Sequence, residues 1–320
     1  MENMNLVKAF NIILLIFLLF LFNSCKEKTE ILTSKIIYDV YISPVEIEQP
    51  HVNYLSPKKR QEVLKFVTKA FKTNKVTDSI GNIITIDNLS KKIYELDTNV
   101  NAIDNASKLL EKFILDQWDV IRFEESWEYN KNTGQIFKAV KNLSFMKGEK
   151  DSFMMPTMSK HIFSIDVANI KMKKPDLDKS YVIYDVCIIP LVESTSPYYH
   201  NISLSSRQKY FTDLFNAVRN NKAIVLDYFY EKIPRDKISD LFVIKGIEEF
   251  TNKEISIPIS IEEIGRIKFI EQWYWDTSNL TLNKYVFGVN PGLQVRKEDD
   301  LIGFSPLFWA IFNKKIINDL

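Results

Sequence analysis

Ile121-Arg122-Phe123-Glu124-Glu125-Ser126-Trp127-Glu128-Tyr129 and Ile267-Lys268-Phe269-Ile270-Glu271-Gln272-Trp273-Tyr274-Trp275 are the two stretches that decide the fold. In each, every second residue runs Ile, Phe, Glu, Trp and then Tyr or Trp. Period two over nine residues marks a β-strand, because successive side chains point to opposite faces. Each strand thus carries an aromatic face with one carboxylate set into it. Turn residues follow at Asn130–Gly134 and Asp276–Asn279, and return strands are expected at 136–145 and 280–289.

Working outward, the same order of residues occurs twice. Ile37-Tyr38-Asp39-Val40 returns as Ile183-Tyr184-Asp185-Val186, and Pro44 as Pro190, at an offset of 146. With one inserted residue, Ser56 returns as Ser203, Arg60-Gln61 as Arg207-Gln208, and Asn74-Lys75 as Asn221-Lys222. The offset is 146 again at the aromatic strands. Order and spacing together indicate an internal duplication.

Each copy opens with an extended run, residues 35–43 and 181–190. Ser56 and Ser203 then read as helix N-caps, with Pro57 at the first helical position. Val63, Leu64, Val67, Ala70 and Phe71 form one apolar stripe, and Tyr210, Phe211, Leu214, Phe215 and Val218 form its counterpart. Both helices are expected to end near Asn74 and Asn221. A further helix is expected over Ile103–Gln117, with Leu109, Leu110, Phe113 and Ile114 inward, and a weaker counterpart over Arg235–Phe242. The fold class is α+β: two tandem related domains, each a mainly antiparallel sheet with packed helices. The division reads 1–24 signal peptide, 25–34 lipidated tether, 35–170 copy one, 171–180 linker and 181–320 copy two.

The chain has 320 residues, with 42 Lys+Arg against 41 Asp+Glu. That balance argues against a basic nucleic-acid binder, so no nucleic-acid partner is expected. Eight Gly and two Cys leave little material for phosphate loops or disulfide scaffolds. The eleven apolar residues Ile12–Phe22 suit a signal-peptide core and are too few to span a membrane. Leu21-Phe22-Asn23-Ser24-Cys25 resembles a bacterial lipobox, which implies cleavage before Cys25 and its acylation. A membrane-anchored lipoprotein follows, placed at the outer membrane facing the periplasm. Cys187, inside an apolar run, reads as an inert thiol.

Glu125 and Glu271 are the most notable ionisable residues. A carboxylate among aromatics either has a raised pKa and serves as a general acid, or is paired structurally near a sheet edge. His51, His161 and His200 lack metal-ligand spacing, and Asp97–Asp104 lacks the glycine and terminal glutamate of a calcium loop, so no metal and no cofactor are expected. Tyr198 and Tyr199 in Ser196-Pro197-Tyr198-Tyr199-His200, together with Trp273, Trp275 and Trp309, are candidate partner contacts.

The second copy resembles the GldN/PorN family, periplasmic ring subunits of gliding motility and type IX secretion in Bacteroidetes. The resemblance rests on Ile183–Val186, Pro197-Tyr198-Tyr199, Asp213-Leu214-Phe215, Ile267–Asp276, Gly288-Val289-Asn290-Pro291 and Pro306-Leu307-Phe308-Trp309, and spans 181–312. In copy one, Phe153–Ile165 stands in place of the Pro-Leu-Phe-Trp segment. The family has no known catalytic residues. The resemblance therefore implies a non-enzymatic envelope scaffold or accessory protein whose partners are secretion and motility proteins. A ligand-binding lipoprotein for peptide or glycan is the alternative, and oligomeric state is open.

Overall fold

The computed structural model describes residues 29–42, 54–96, 105–150, 156–167, 181–189, 202–247, 253–298 and 300–317. The two alternating stretches form long strands because each has one apolar face to bury. In chain order the first half contains β1 (Thr29–Tyr41), α1 (Pro57–Lys72), β2 (Val76–Thr77), α2 (Ile86–Leu96), α3 (Ala106–Lys112), β3 (Val120–Asn130), β4 (Ile136–Lys150) and β5 (Pro156–Asp166). The second contains β6 (Val182–Cys187), α4 (Leu204–Arg219), β7 (Ile224–Leu226), β8 (Val243–Ile247), β9 (Glu254–Pro258), β10 (Ile264–Asp276), β11 (Thr281–Lys297), β12 (Asp300–Pro306) and β13 (Trp309–Ile311).

The fold is mixed α+β with antiparallel pairing throughout the described ladders. One eleven-stranded sheet has the central order β1-β3-β4-β11-β10-β6. β5 pairs with β4 and β2, and β13 pairs with β11 and β7. β5 therefore occupies in the first half the place that β13 takes in the second, where Phe153–Ile165 stood in the sequence comparison. β8 and β9 form a separate hairpin.

Local details repeat between the halves. Ser56 and Ser203 cap α1 and α4 by accepting from Lys59 N and Ser206 N. Asn74 and Asn221 end those helices at φ 53° and 56°, a left-handed conformation that asparagine tolerates. Buried Arg60 donates to the Trp118 carbonyl at 3.1 Å, and Arg207 to the Ile264 carbonyl at 3.0 Å. Each arginine thereby satisfies a backbone acceptor just before or at the start of an aromatic strand.

The third helical region is α over Ala106–Lys112 and a π turn over Phe113–Gln117, with Leu109, Leu110, Phe113 and Ile114 buried as expected. Arg235–Phe242 is a 3-10 helix. α2 is an element the sequence reading did not anticipate. Thr29–Ser34, expected as tether, belongs to β1, where Thr29 pairs with Asn130 and Leu32 is buried. Cys25, the signal segment, the 171–180 linker, His51, His200, Tyr198 and Tyr199 lie outside the described residues. No helix among the described residues is long and apolar enough to cross a membrane.

One cluster of buried side chains runs through both halves. The halves meet at β4 and β11 through three residue pairs: Phe137 with Tyr285, Lys138 with Lys284, and Ala139 with Asn283. Helices cross the joint as well. Phe66 of α1 packs edge-on against Trp275 of β10, with centroids 5.2 Å apart. At the equivalent place, Tyr129 of β3 donates to Asp213 of α4 at 2.8 Å. The β3–β4 turn seals this contact: Gly134 has φ 76°, and a Cβ there would lie 2.5 Å from Leu214 Cδ1 and 3.1 Å from Leu214 Cα. Gly134→Ala is expected to destabilise the full chain by about 2 kcal/mol or more. Urea unfolding checks this, with Gly81→Ala as the comparison because Gly81 shares the positive φ but has open space around it.

Candidate functional site

The most unusual chemistry in the molecule lies at the joint. On β3, the inward row Phe123, Glu125, Trp127 places one carboxylate between two aromatic rings, and Phe269, Glu271, Trp273 does the same on β10. Both strands carry a register shift at this glutamate, between Glu124 and Glu125 and between Ile270 and Glu271. Such bulges re-aim side chains locally. Both glutamates are fully buried, in the middle of the sheet and not at an edge.

Each carboxylate is held from both halves. Glu125 Oε2 accepts from Tyr38 Oη and from Trp127 Nε1, both at 2.7 Å. Glu271 Oε2 accepts from Tyr184 Oη at 2.7 Å and from Trp273 Nε1 at 3.0 Å. The remaining oxygens reach across the joint. Lys284 Nζ lies 2.7 Å from Glu125 Oε1, and Lys138 Nζ lies 2.6 Å from Glu271 Oε1. All four side chains of these pairs have zero solvent exposure. Lys284 also donates to Tyr38 Oη at 3.1 Å and Lys138 to Tyr184 Oη at 3.0 Å. Each Tyr-Glu-Trp set is thus completed by the lysine of the other half. The two phenol oxygens lie 3.1 Å apart, and their rings stack.

The remaining ammonium surface faces aromatic rings. Lys138 lies 3.2 Å from the Phe269 ring centre and Lys284 3.0 Å from that of Phe123. Two carboxylates and two ammonium groups leave the cluster neutral overall. Burial alone would raise the Glu125 carboxyl, but the charges of Lys284 and Lys138 and the Lys284 hydrogen bond hold it below the usual range. Burial lowers Lys138 to about 8 against the opposing pull of Glu271 and Glu125, and lowers Lys284 too. Burial, with the nearby carboxylates, raises both Tyr38 and Tyr184 well above the ordinary phenol value. Each Tyr and Trp donor has a carboxylate acceptor here, each Oε1 meets its lysine as an ion pair, and the cluster presents no general acid to solvent.

Trp273 is buried beside Glu271, Trp275 is buried against Phe66, and Trp309 is buried and stacked on Tyr230. Their indoles are spent on internal packing, which corrects the expectation of partner contact at these three. Cys187 donates to the carbonyls of Ile189 and Gly265 at 3.5 and 3.6 Å, and burial raises its thiol. His161 contacts Ser164 Oγ at 2.8 Å, and burial, aided by Lys92 and Arg122, lowers it to about 4. No group of three or more metal-ligating side chains occurs among the described residues.

The outer face of the sheet bears two clefts at equivalent places. One, of about 570 Å³, contains Arg122, Ser144, Ser159, His161 and Ser164. Here Arg122 closes a two-pronged pair on Asp39 at 2.6 and 2.8 Å, and Ser144 Oγ contacts Ser164 Oγ at 2.8 Å. The other, of about 510 Å³, contains Asp185, Arg266, Lys268 and Asn290. Asn290 stands where the first half has Ser144. Neither cleft lies between the halves, where the ion pairs fill the space.

The sequence reading found Glu125 and Glu271 but missed Lys138 and Lys284. The signal was there: at the shared offset of 146, each is a lysine at an inward position of a return strand, between Ile136 and Val140 or Leu282 and Val286. No family model matches the chain, and no curated protein matches it.

Lys284→Met leaves Glu125 buried without its cross-joint partner and is expected to cost about 3–5 kcal/mol, whereas adding Glu125→Leu should recover much of that loss. Denaturant unfolding of the two singles and the double checks this. Because the folded Glu125 carboxyl is depressed, its contribution is fully present above about pH 4.3 and lost as pH falls through the folded value. The acid limb of stability against pH is therefore expected to be shallower in the double variant than in the parent.

Proposed function

We propose that this chain is a non-enzymatic, membrane-tethered scaffold or accessory protein of the bacterial envelope. In this reading an ancestral module was duplicated in tandem, and a signal peptide directs acylation of Cys25, anchoring the protein at the outer membrane facing the periplasm. Its partners are gliding-motility and type IX secretion proteins, in line with the resemblance of residues 181–312 to GldN/PorN ring subunits. The single observation that carries the non-enzymatic part is the closure of the Glu125–Lys284 and Glu271–Lys138 pairs at zero exposure. Four fully buried ionisable side chains are consumed in joining its halves. A body whose main core runs through both halves, carried on a lipid, suits a part that holds others in place, because tethering raises its local concentration at the membrane.

Ligand binding is the second reading, favoured by the outer-face cleft around Asn290. Crosslinking in the native envelope, followed by mass spectrometry, separates the two. The scaffold reading expects crosslinks to secretion or motility proteins, and impaired secretion on deletion. It is overturned if the tagged protein crosslinks to none of them and deletion leaves secretion intact. Metabolic labelling with a fatty acid is expected to mark the parent chain and not Cys25→Ser, and equal labelling would remove the anchor from the proposal.

A further inference from the structure

We infer that the outer-face cleft of the second half binds the C-terminal end of a peptide, gripping its last amide and its carboxylate. This goes beyond the scaffold reading and does not depend on it. The observation that points to a ligand is Asn290. It is only 2% exposed, yet neither its Oδ1 nor its Nδ2 has a hydrogen-bond partner among the described residues. Buried amides without partners are rare in folded proteins, because the lost hydration is not replaced. A side-chain amide with both atoms unpaired complements another amide: Oδ1 accepts an N–H while Nδ2 donates to a C=O.

Asn290 is part of a built row. In register, Lys268 of β10 lies opposite Asn290 of β11 on one side and Asp185 of β6 on the other. Asp185 is taken by Arg266 at 3.3 Å, and the Arg266 guanidinium also lies over the Phe304 ring at 5.1 Å. Lys268 has no ion-pair partner among the described residues. One anion and two cations leave a surplus positive charge beside the unpaired amide. A carboxylate one residue away from an amide, the end of a peptide chain, satisfies both. Tyr228, Phe304 and Pro306 supply an apolar wall for the last side chain, and about 510 Å³ suits a ligand of that size.

The first-half cleft sharpens the contrast. Ser144, at the position of Asn290, is satisfied by Ser164, and Asp39 holds Arg122 with both oxygens. Where the first half has a satisfied serine, the second has an unpaired asparagine amide, which can serve as a recognition group.

Isothermal titration of the full chain with acetyl-Ala-Leu as free acid, and with its C-terminal amide, tests the inference. The free acid is expected to bind saturably and the amide about tenfold or more weakly. Lys268→Met should weaken the acid by about tenfold and leave the amide unchanged. Asn290→Leu should abolish binding of both while raising the melting temperature, since it removes an unpaired buried amide. No saturable binding of the acid, equal binding of acid and amide, or undiminished binding by Asn290→Leu each overturns the inference. Tighter binding of N-acetylmuramic acid than of the peptide would overturn the peptide assignment.

Discussion

The crossed ion pairs between Glu125 and Lys284 and between Glu271 and Lys138 are the constraint on which the rest of the structure depends. Lys138 and Lys284 stand directly opposite each other where β4 meets β11. Two like charges in that position would repel. Each is neutralised by a glutamate on the strand beyond its partner, so the repulsion becomes a reason for the halves to be joined in one register only. A slip of one residue at this joint would turn the inner face of one half outward relative to the other, parting Glu125 from Lys284 and Glu271 from Lys138. Buried ion pairs of this kind add little net stability over apolar packing, but removing one partner is costly. Their effect is to specify which arrangement of the halves is allowed.

The inner faces of the two halves are nearly the same, residue for residue: Tyr38 and Tyr184, Phe123 and Phe269, Trp127 and Trp273, Val140 and Val286. The outer faces have diverged. Glu124 and Lys141 in the first half correspond to Ile270 and Phe287 in the second, which lie in a small apolar cluster with Trp309 and Ile311. Ser144 corresponds to Asn290 across the two clefts. The interior is alike in the two halves where it closes the joint, and the exterior differs.

Much of this was legible in the sequence because the periodicities are strict. The alternation around Glu125 and Glu271 located two interior strands of the sheet, and Ser56, Ser203, Asn74 and Asn221 marked helix ends through cap chemistry that is local in sequence. The burial of the glutamates was legible from their aromatic neighbours. The identity of their partners was not, since Lys284 lies far along the chain from Glu125 and only the joint brings them together. Trp273, Trp275 and Trp309 read as surface candidates because composition does not reveal which face of a strand a second layer will cover. In the sequence Asn290 is only one residue of Gly288-Val289-Asn290-Pro291, because an amide without partners is visible only once its surroundings are known.

The most direct test is to express residues 29–167 and 181–320 separately and follow thermal unfolding of each by circular dichroism. Each piece would contain a buried glutamate whose lysine resides on the other piece, so neither is expected to show a cooperative transition alone, and mixing the two should restore one. A sharp, independent transition in either isolated piece would contradict the account.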